Sequence, residues 1–280
     1  MPLIHDTAPT GPIGVFDSGY GGLTILKEIQ HRLPQYSYLY LGDNARAPYG
    51  TRSFDIVYEY TLSAVEYLFK QGCRLVVLAC NTASAKALRS IQQNDLPTLD
   101  PQRRVLGVIR PTVEALGGLT STGHVGVLAT PGTVQSRSYS LEIAKLWPAM
   151  KVTERACPMW VPLIENSEAA GPGADYFVEK YISEAMDADP LTDTLILGCT
   201  HYPIMYPKIR KTVPENVKVL AQGELVAESL ADYLRRHPEI ESRCSKEGRT
   251  EYLTTENSAK FDSMASLFLG TQVRSRHILI

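Results

Sequence analysis

The chain lacks an excess of charge of either sign: 28 Lys and Arg stand against 30 Asp and Glu, a formal net charge of −2. That balance argues against a protein whose main ligand is a polyanion, because nucleic-acid binding draws on a basic excess. A local patch is left open. Long apolar runs are missing too; the longest span about six residues, against the 20 or so that a membrane helix needs. The start, Met1-Pro2-Leu3-Ile4-His5-Asp6, has none of the basic-then-apolar pattern of a signal peptide. Cysteine is sparse, and its five residues form no Cys-x-x-Cys pair. The spacing of Cys73, Cys80, Cys157, Cys199 and Cys244 fits neither a disulfide framework nor a zinc ribbon. These absences lead us to expect a soluble, cytoplasmic protein with free thiols.

Nucleotide and hydrolase signatures are absent as well. The turn Asp17-Ser18-Gly19-Tyr20-Gly21-Gly22 fails the dinucleotide fingerprint, because Thr24 stands where the third glycine is needed. No Gly-Lys-Ser/Thr ending makes a P-loop, and Phe16 stands where a nucleophile elbow requires glycine.

What is present is enough apolar material, 44% of 280 residues and 31.0 kDa, for two modest domains or one large one. Short apolar runs read as strands at Ile13–Phe16, Tyr36–Leu41, Leu75–Ala79, Val105–Ile109, Val125–Ala129 and Thr194–Leu197. Helical periodicity covers Leu23–Leu33 and Phe54–Gln71. Pro97–Arg104 and Glu168–Gly173 read as loops. Strand and helix in alternation imply βαβ units and mainly parallel sheets, an α/β fold. One internal similarity stands out. Leu75-Val76-Val77-Leu78-Ala79-Cys80-Asn81-Thr82 parallels Thr194-Leu195-Ile196-Leu197-Gly198-Cys199-Thr200-His201, with the cysteines 199 − 80 = 119 residues apart. Chance likeness between strands is one reading. The other is two related α/β units, each setting a thiol at the carboxyl end of a central strand, where open α/β sheets bind ligands.

Cys80 and Cys199 sit at strand-to-helix transitions, where helix N–H dipoles are expected to lower a thiol pKa. Cys73, Cys157 and Cys244 are read as inert small hydrophobes. His201 follows Cys199 closely enough to be a proton partner. Cys-x-His alone gives a poor zinc site, and a Cys–His hydrolase leaves the second thiol without a role. The Asp17–Gly22 turn offers N–H groups to an anion such as a carboxylate, and Thr130-Pro131-Gly132-Thr133 offers hydroxyls. Glu165, after an apolar run, either is solvated or enters a cleft. Gly42–Gly50 is a long polar loop. The basic stretch from Arg235 to Lys246 reads as a solvated helix end.

Taken in order, these segments resemble the glutamate racemases of the cofactor-independent aspartate/glutamate racemase superfamily. The resemblance rests on Gly14–Gly22, Asp43–Gly50, Ala79-Cys80-Asn81-Thr82-Ala83, Gly126–Thr133, Gly198-Cys199-Thr200-His201-Tyr202-Pro203 and Lys260–Gly270, running from about residue 13 to 270. It implies two pseudo-symmetric domains, each a mainly parallel sheet flanked by helices, with the active site between them: residues 1–107 with 222–280 carrying Cys80, and 108–221 carrying Cys199. It implies interconversion of L- and D-glutamate with neither cofactor nor metal. Cys80 would take the α-proton from D-glutamate and Cys199 from L-glutamate. Asp17 would support Cys80, and His201 and Glu165 would support Cys199. Ser18, Asn81, Thr82 and Thr200 would hold the α-amino and α-carboxylate groups; Tyr49, Gly50, Thr133 and Thr130 would hold the side-chain carboxylate; Asp43 would line the site. Racemisation needs a base on one face of Cα and an acid on the other, and two thiols meet that need.

The resemblance further implies a cytoplasmic homodimer that supplies D-glutamate for peptidoglycan, with no nucleic-acid or membrane partner and, the stretch before Ile13 being short, no added regulatory domain. Two positions depart from it. Ala221-Gln222-Gly223 stands where an Asp-Ser or Asp-Gly pair is usual, and Arg110 follows Gly107-Val108-Ile109. Rival readings are an aspartate racemase or related two-thiol racemase, which the cysteines alone do not separate, and a non-catalytic binding protein of the same fold, which would be expected to lose one thiol.

Overall fold

The computed structural model describes residues 10–280; the Met1–Asp6 start considered above lies outside them. Among the described residues, ten strands form two sheets. The first has six strands in the order β10-β9-β2-β1-β3-β4: β1 Ile13–Asp17, β2 Tyr38–Gly42, β3 Leu75–Leu78, β4 Arg104–Gly107, β9 Thr250–Thr254 and β10 Ser275–His277. The second has four, in the order β6-β5-β7-β8: β5 His124–Ala129, β6 Lys151–Ala156, β7 Thr194–Gly198 and β8 Lys218–Leu220. Every pairing in both sheets is parallel. Helices carry the chain between strands, as parallel pairing requires.

The two sheets repeat one plan. Strand orders β2-β1-β3-β4 and β6-β5-β7-β8 superimpose term by term, so β3 and β7 are equivalent, and so are the two cysteines that follow them. The shared character of the two Leu/Val/Ile runs is therefore architectural. Both strands are fully buried because helices cover both faces. The chain passes between the sheets twice, near Val108 and near Gln222. A continuous apolar core joins Ile13, Val15, Leu75 and Val77 of the first sheet to Leu128, Leu195 and Leu197 of the second, with Trp160 and Tyr202 between. The Gly22–Arg32 and Gly223–Arg236 helices pack against each other in this layer, joining Leu23, Leu26 and Ile29 to Val226, Leu230 and Leu234.

Local differences from the sequence reading have physical causes. The run Val105–Ile109 is strand only to Gly107; Ile109 already opens a helix, Ile109–Ala115, because the chain turns there into the second sheet. Leu96–Leu99 is a short helix inside the stretch read as a loop. Pro172 opens a 17-residue helix, a favoured place for proline because the first turn needs no N–H donor there. Between Arg235 and Lys246 the basic groups are matched by Asp232, Glu239 and Glu241. All five cysteines are free and buried.

Candidate active site

Both sheets point the carboxyl ends of their strands at one cavity of about 70 Å³. β3 delivers Cys80, which caps the Asn81–Lys86 helix: its Sγ accepts from the Ala83 N–H at 3.5 Å. β7 delivers Cys199-Thr200-His201. β1 delivers Ser18 from the first sheet, and Thr130 follows the equivalent strand β5 in the second.

The two thiols have different surroundings. On the Cys199 side, His201 Nδ1 lies 3.9 Å from Sγ, and its Nε2 lies 2.9 Å from Glu165 Oε1. Packing fixes this row. Trp160 opens the helix that ends at Glu165, and its indole meets Tyr202 edge-on at 4.7 Å, directly after His201. Such an aromatic pair adds about 1 kcal/mol beyond its buried area. Burial of His201 disfavours its charged form, but the hydrogen bonds to Cys199 and Glu165 outweigh that and raise its pKa to about 10. Since this lies above the ordinary value near 6.5, the stability contributed by the imidazolium is complete below about pH 6.5. It is lost as pH rises through about 10. The melting-temperature gap between wild type and His201→Asn is accordingly expected to be widest near pH 6.5 and to close by pH 10.5, followed by thermal denaturation across that range.

On the Cys80 side there is no histidine. The Cys80 thiol donates to Ser18 Oγ at 3.4 Å. Burial, and then the charge of Asp17, push its pKa up to about 12, with Ser18 and the Ala83 N–H pulling the other way. The expected lowering by the helix start is thus overridden at Cys80, because a one-turn cap does not match the cost of desolvating a buried thiolate. Asp17 itself is fully buried, and burial raises its pKa against the pull of His201. Its carboxylate accepts from the Gly19 N–H at 2.9 Å and from Thr200 Oγ1 at 3.4 Å. It stands behind Ser18 with no hydrogen bond to Cys80.

Ser18, Tyr49, Gly50, Asn81, Thr82, Thr130, Glu165 and Thr200 all line the cavity, so of the two readings of Glu165 the cleft is the one realised. Asp43 and Thr133 do not line it, contrary to expectation. Asp43 lies behind Tyr49, where it accepts from the Tyr49 hydroxyl, from Arg46 and from Thr255. The Tyr49 hydroxyl is therefore turned away from the cavity and its ring forms the wall. Thr133 sits behind Thr130, within 3.1 Å of its hydroxyl and 3.3 Å of that of Thr82, a cluster that spans both sheets. The side-chain amide of Asn81 is held by Tyr139 and Gln222. Nor is the glycine turn an open anion seat. A Cβ on Gly21 would lie 2.3 Å from Thr200 Oγ1 and 2.4 Å from His201 Nδ1, so glycine there lets the two halves close.

Cys157, read as inert, lines the cavity with Pro158, Val161 and Pro162; burial raises its pKa well above the ordinary value. It follows β6, at the same end of the sheet as Cys199, and that charged edge strand gave no sequence signal for its place. Among the described residues, no group of three or more His, Cys, Asp and Glu is placed to hold a metal ion.

Fold and site together define a racemase of the two-sheet α/β class, with two thiols brought from equivalent strand ends to one cavity. The chain belongs to the Asp/Glu/hydantoin racemase family, whose sequence pattern matches residues 23–230. It is 41% identical over 271 residues to a glutamate racemase of Roseobacter denitrificans, covering 93% of this chain and 97% of that one. Among solved structures it is similar to glutamate racemase isoform RacE1 of Bacillus anthracis, with TM-score 0.87 and 33% identity over 96% of this chain and 98% of that one. The Francisella tularensis glutamate racemase in complex with D-glutamate gives TM-score 0.85 and 32% identity over the same shares.

Proposed function

We propose that the protein interconverts L- and D-glutamate by two-base chemistry at Cα, with one cysteine on each face. The observation that carries this reading is the pair of thiols, supplied by equivalent strands of the two sheets to one cavity and held in unlike surroundings. Cys80, with its pKa near 12, rests as the thiol and is the proton donor of the unliganded enzyme. Cys199 stands 3.9 Å from Nδ1 of His201, which stays protonated at neutral pH. In this scheme Cys199 takes the α-proton of L-glutamate and Cys80 returns one. The reverse turnover starts from D-glutamate with the proton positions exchanged. Glu165 keeps His201 charged, and Asp17 acts on Cys80 through its charge.

Ser18, Thr82, Thr200 and the start of the Asn81–Lys86 helix hold the α-amino and α-carboxylate groups. Gly50 and the Thr130 hydroxyl, backed by Thr133, receive the side-chain carboxylate between the two sheets. Fixed donors in a dry cavity stabilise the charge that builds on the α-carboxylate as the proton leaves. Reaction needs no organic cofactor or metal in this scheme. We assign residues 1–107 with 222–280 to one domain and 108–221 to the other. The proposal includes a cytoplasmic homodimer that supplies D-glutamate for peptidoglycan.

The test is a circular-dichroism time course on L-glutamate in reducing buffer without additives. The signal is expected to decay to zero, and aspartate to turn over at least about 100-fold more slowly, since a site built to bind a terminal carboxylate discriminates strongly against a misplaced one. A flat glutamate trace with active aspartate would reverse the assignment to an aspartate racemase.

A further inference from the structure

Gln222 is the position at which the sequence departs most plainly from its resemblance, and it is buried at the second crossing between the sheets. Its side chain closes a ring. Asn81 Nδ2 donates to Gln222 Oε1 at 2.6 Å, Gln222 Nε2 donates to the Tyr139 hydroxyl at 2.8 Å, and Tyr139 donates to Asn81 Oδ1 at 2.7 Å. Gln222 Nε2 also donates to Thr112 Oγ1 at 2.8 Å, and that hydroxyl donates in turn to Val108 O at the first crossing. All four side chains are at most 2% exposed.

The polarity of the ring is forced. Thr112 has spent its proton on Val108, so it accepts from Gln222. That fixes the Gln222 amide, which fixes Tyr139 as the donor to Asn81, which fixes the Asn81 amide. The second Nδ2 proton of Asn81 has no acceptor among the described residues, and Asn81 lines the cavity. The ring therefore joins both crossings to the residue next to Cys80, the cap of the same helix.

We propose that Gln222 is a positioning residue of the racemase: through the Gln222–Tyr139–Asn81 ring it ties the start of the Cys80 helix to both crossings between the sheets and holds Cys80 in line with Cα. The proposal rests on the reading above in which Cys80 serves one face and Cys199 the other. Tyr139 packs its aromatic ring beside Gly198, but the hydrogen bonds of the Gln222–Tyr139–Asn81 ring end on Asn81 of the Cys80 helix and none reaches Cys199, Thr200 or His201, so its loss acts first on the Cys80 transfer.

Gln222→Met keeps the side-chain length and removes every donor and acceptor. Turnover of glutamate is expected to fall on the order of 10–100-fold, the usual result of a small misplacement. Because enantiomers have equal free energy, kcat/KM falls equally in both directions, so the diagnostic is the deuterium isotope effect. With the Cys80 step made slower, the effect on D-[2-²H]glutamate should rise and that on L-[2-²H]glutamate should shrink toward one. Tyr139→Phe, which deletes one hydroxyl, should give the same split at smaller size and serves if Gln222→Met does not fold. Unchanged isotope effects, a change of the same sign in both, or wild-type turnover would overturn the proposal. Failure of the two-thiol reading itself is seen separately, as D-glutamate α-proton removal that survives Cys80→Ser.

Discussion

Cys80→Ser and Cys199→Ser each reduce racemisation of glutamate by at least about 10³-fold, in line with what positioned acid–base groups contribute. A serine hydroxyl occupies the same place but neither gives nor takes a proton at a useful rate near neutral pH. Of the other wall groups, Cys157 is held as the thiol by burial. Glu165 and His201 are engaged with each other, and Asp17 stands behind Ser18. The variants differ from a dead enzyme in one respect. With one thiol left, a proton can leave and return on the same face. Cys80→Ser is expected to exchange the α-proton of L-glutamate with deuterated solvent, and Cys199→Ser that of D-glutamate, both without inversion. Proton NMR in D2O reads the exchange and circular dichroism reads the inversion. Either variant retaining more than about a tenth of wild-type turnover would end the two-base account.

The second large effect comes from a single methyl group. Gly21 has φ −58°, which alanine adopts without strain, so Gly21→Ala acts through contact alone. Its Cβ would meet Thr200 Oγ1 at 2.3 Å and His201 Nδ1 at 2.4 Å. His201 cannot retreat without giving up Glu165 or Cys199. The strain is relieved by holding the halves apart, which admits water and removes the imidazole from the thiol. We expect kcat/KM to fall by about 10²–10³-fold, roughly 3–4 kcal/mol, and the melting temperature to drop by only a few degrees. Gly173→Ala, where an added Cβ meets nothing within 4 Å, is the neutral control. Wild-type kinetics in Gly21→Ala would mean that this seam need not be shut for catalysis.

The parallel sheets were legible because strands buried on both faces leave unbroken apolar runs, as at Leu75–Leu78 and Thr194–Gly198. β6 escaped notice because it is an edge strand, and Lys151, Glu154 and Arg155 break its pattern. β9 has meaning only beside β2, more than 200 residues away in sequence, and β10 only beside β9. Within the site, position along a motif told which residues gather but not which face the cavity. Asp43 and Tyr49 belong to one loop, yet the ring lines the wall and the carboxylate lies behind it; Thr130 and Thr133 divide in the same way. Ala221-Gln222 looked like a lost motif, whereas the ring through Gln222 depends on three residues, Asn81, Thr112 and Tyr139, that are distant in the chain.

The pairing of β2 with β9 bears on how the protein is made. Tyr38–Gly42 is apolar and wholly buried, and its outer neighbour, Thr250–Thr254, is among the last strands to leave the ribosome. The four-stranded sheet, contiguous from His124 to Leu220, can be completed earlier. From the synthesis of Gly42 to that of Thr254, on the order of 10–40 s at common elongation rates, the nascent chain carries an uncapped hydrophobic edge. Such an edge is a template for pairing with other chains until Thr250–Thr254 covers it.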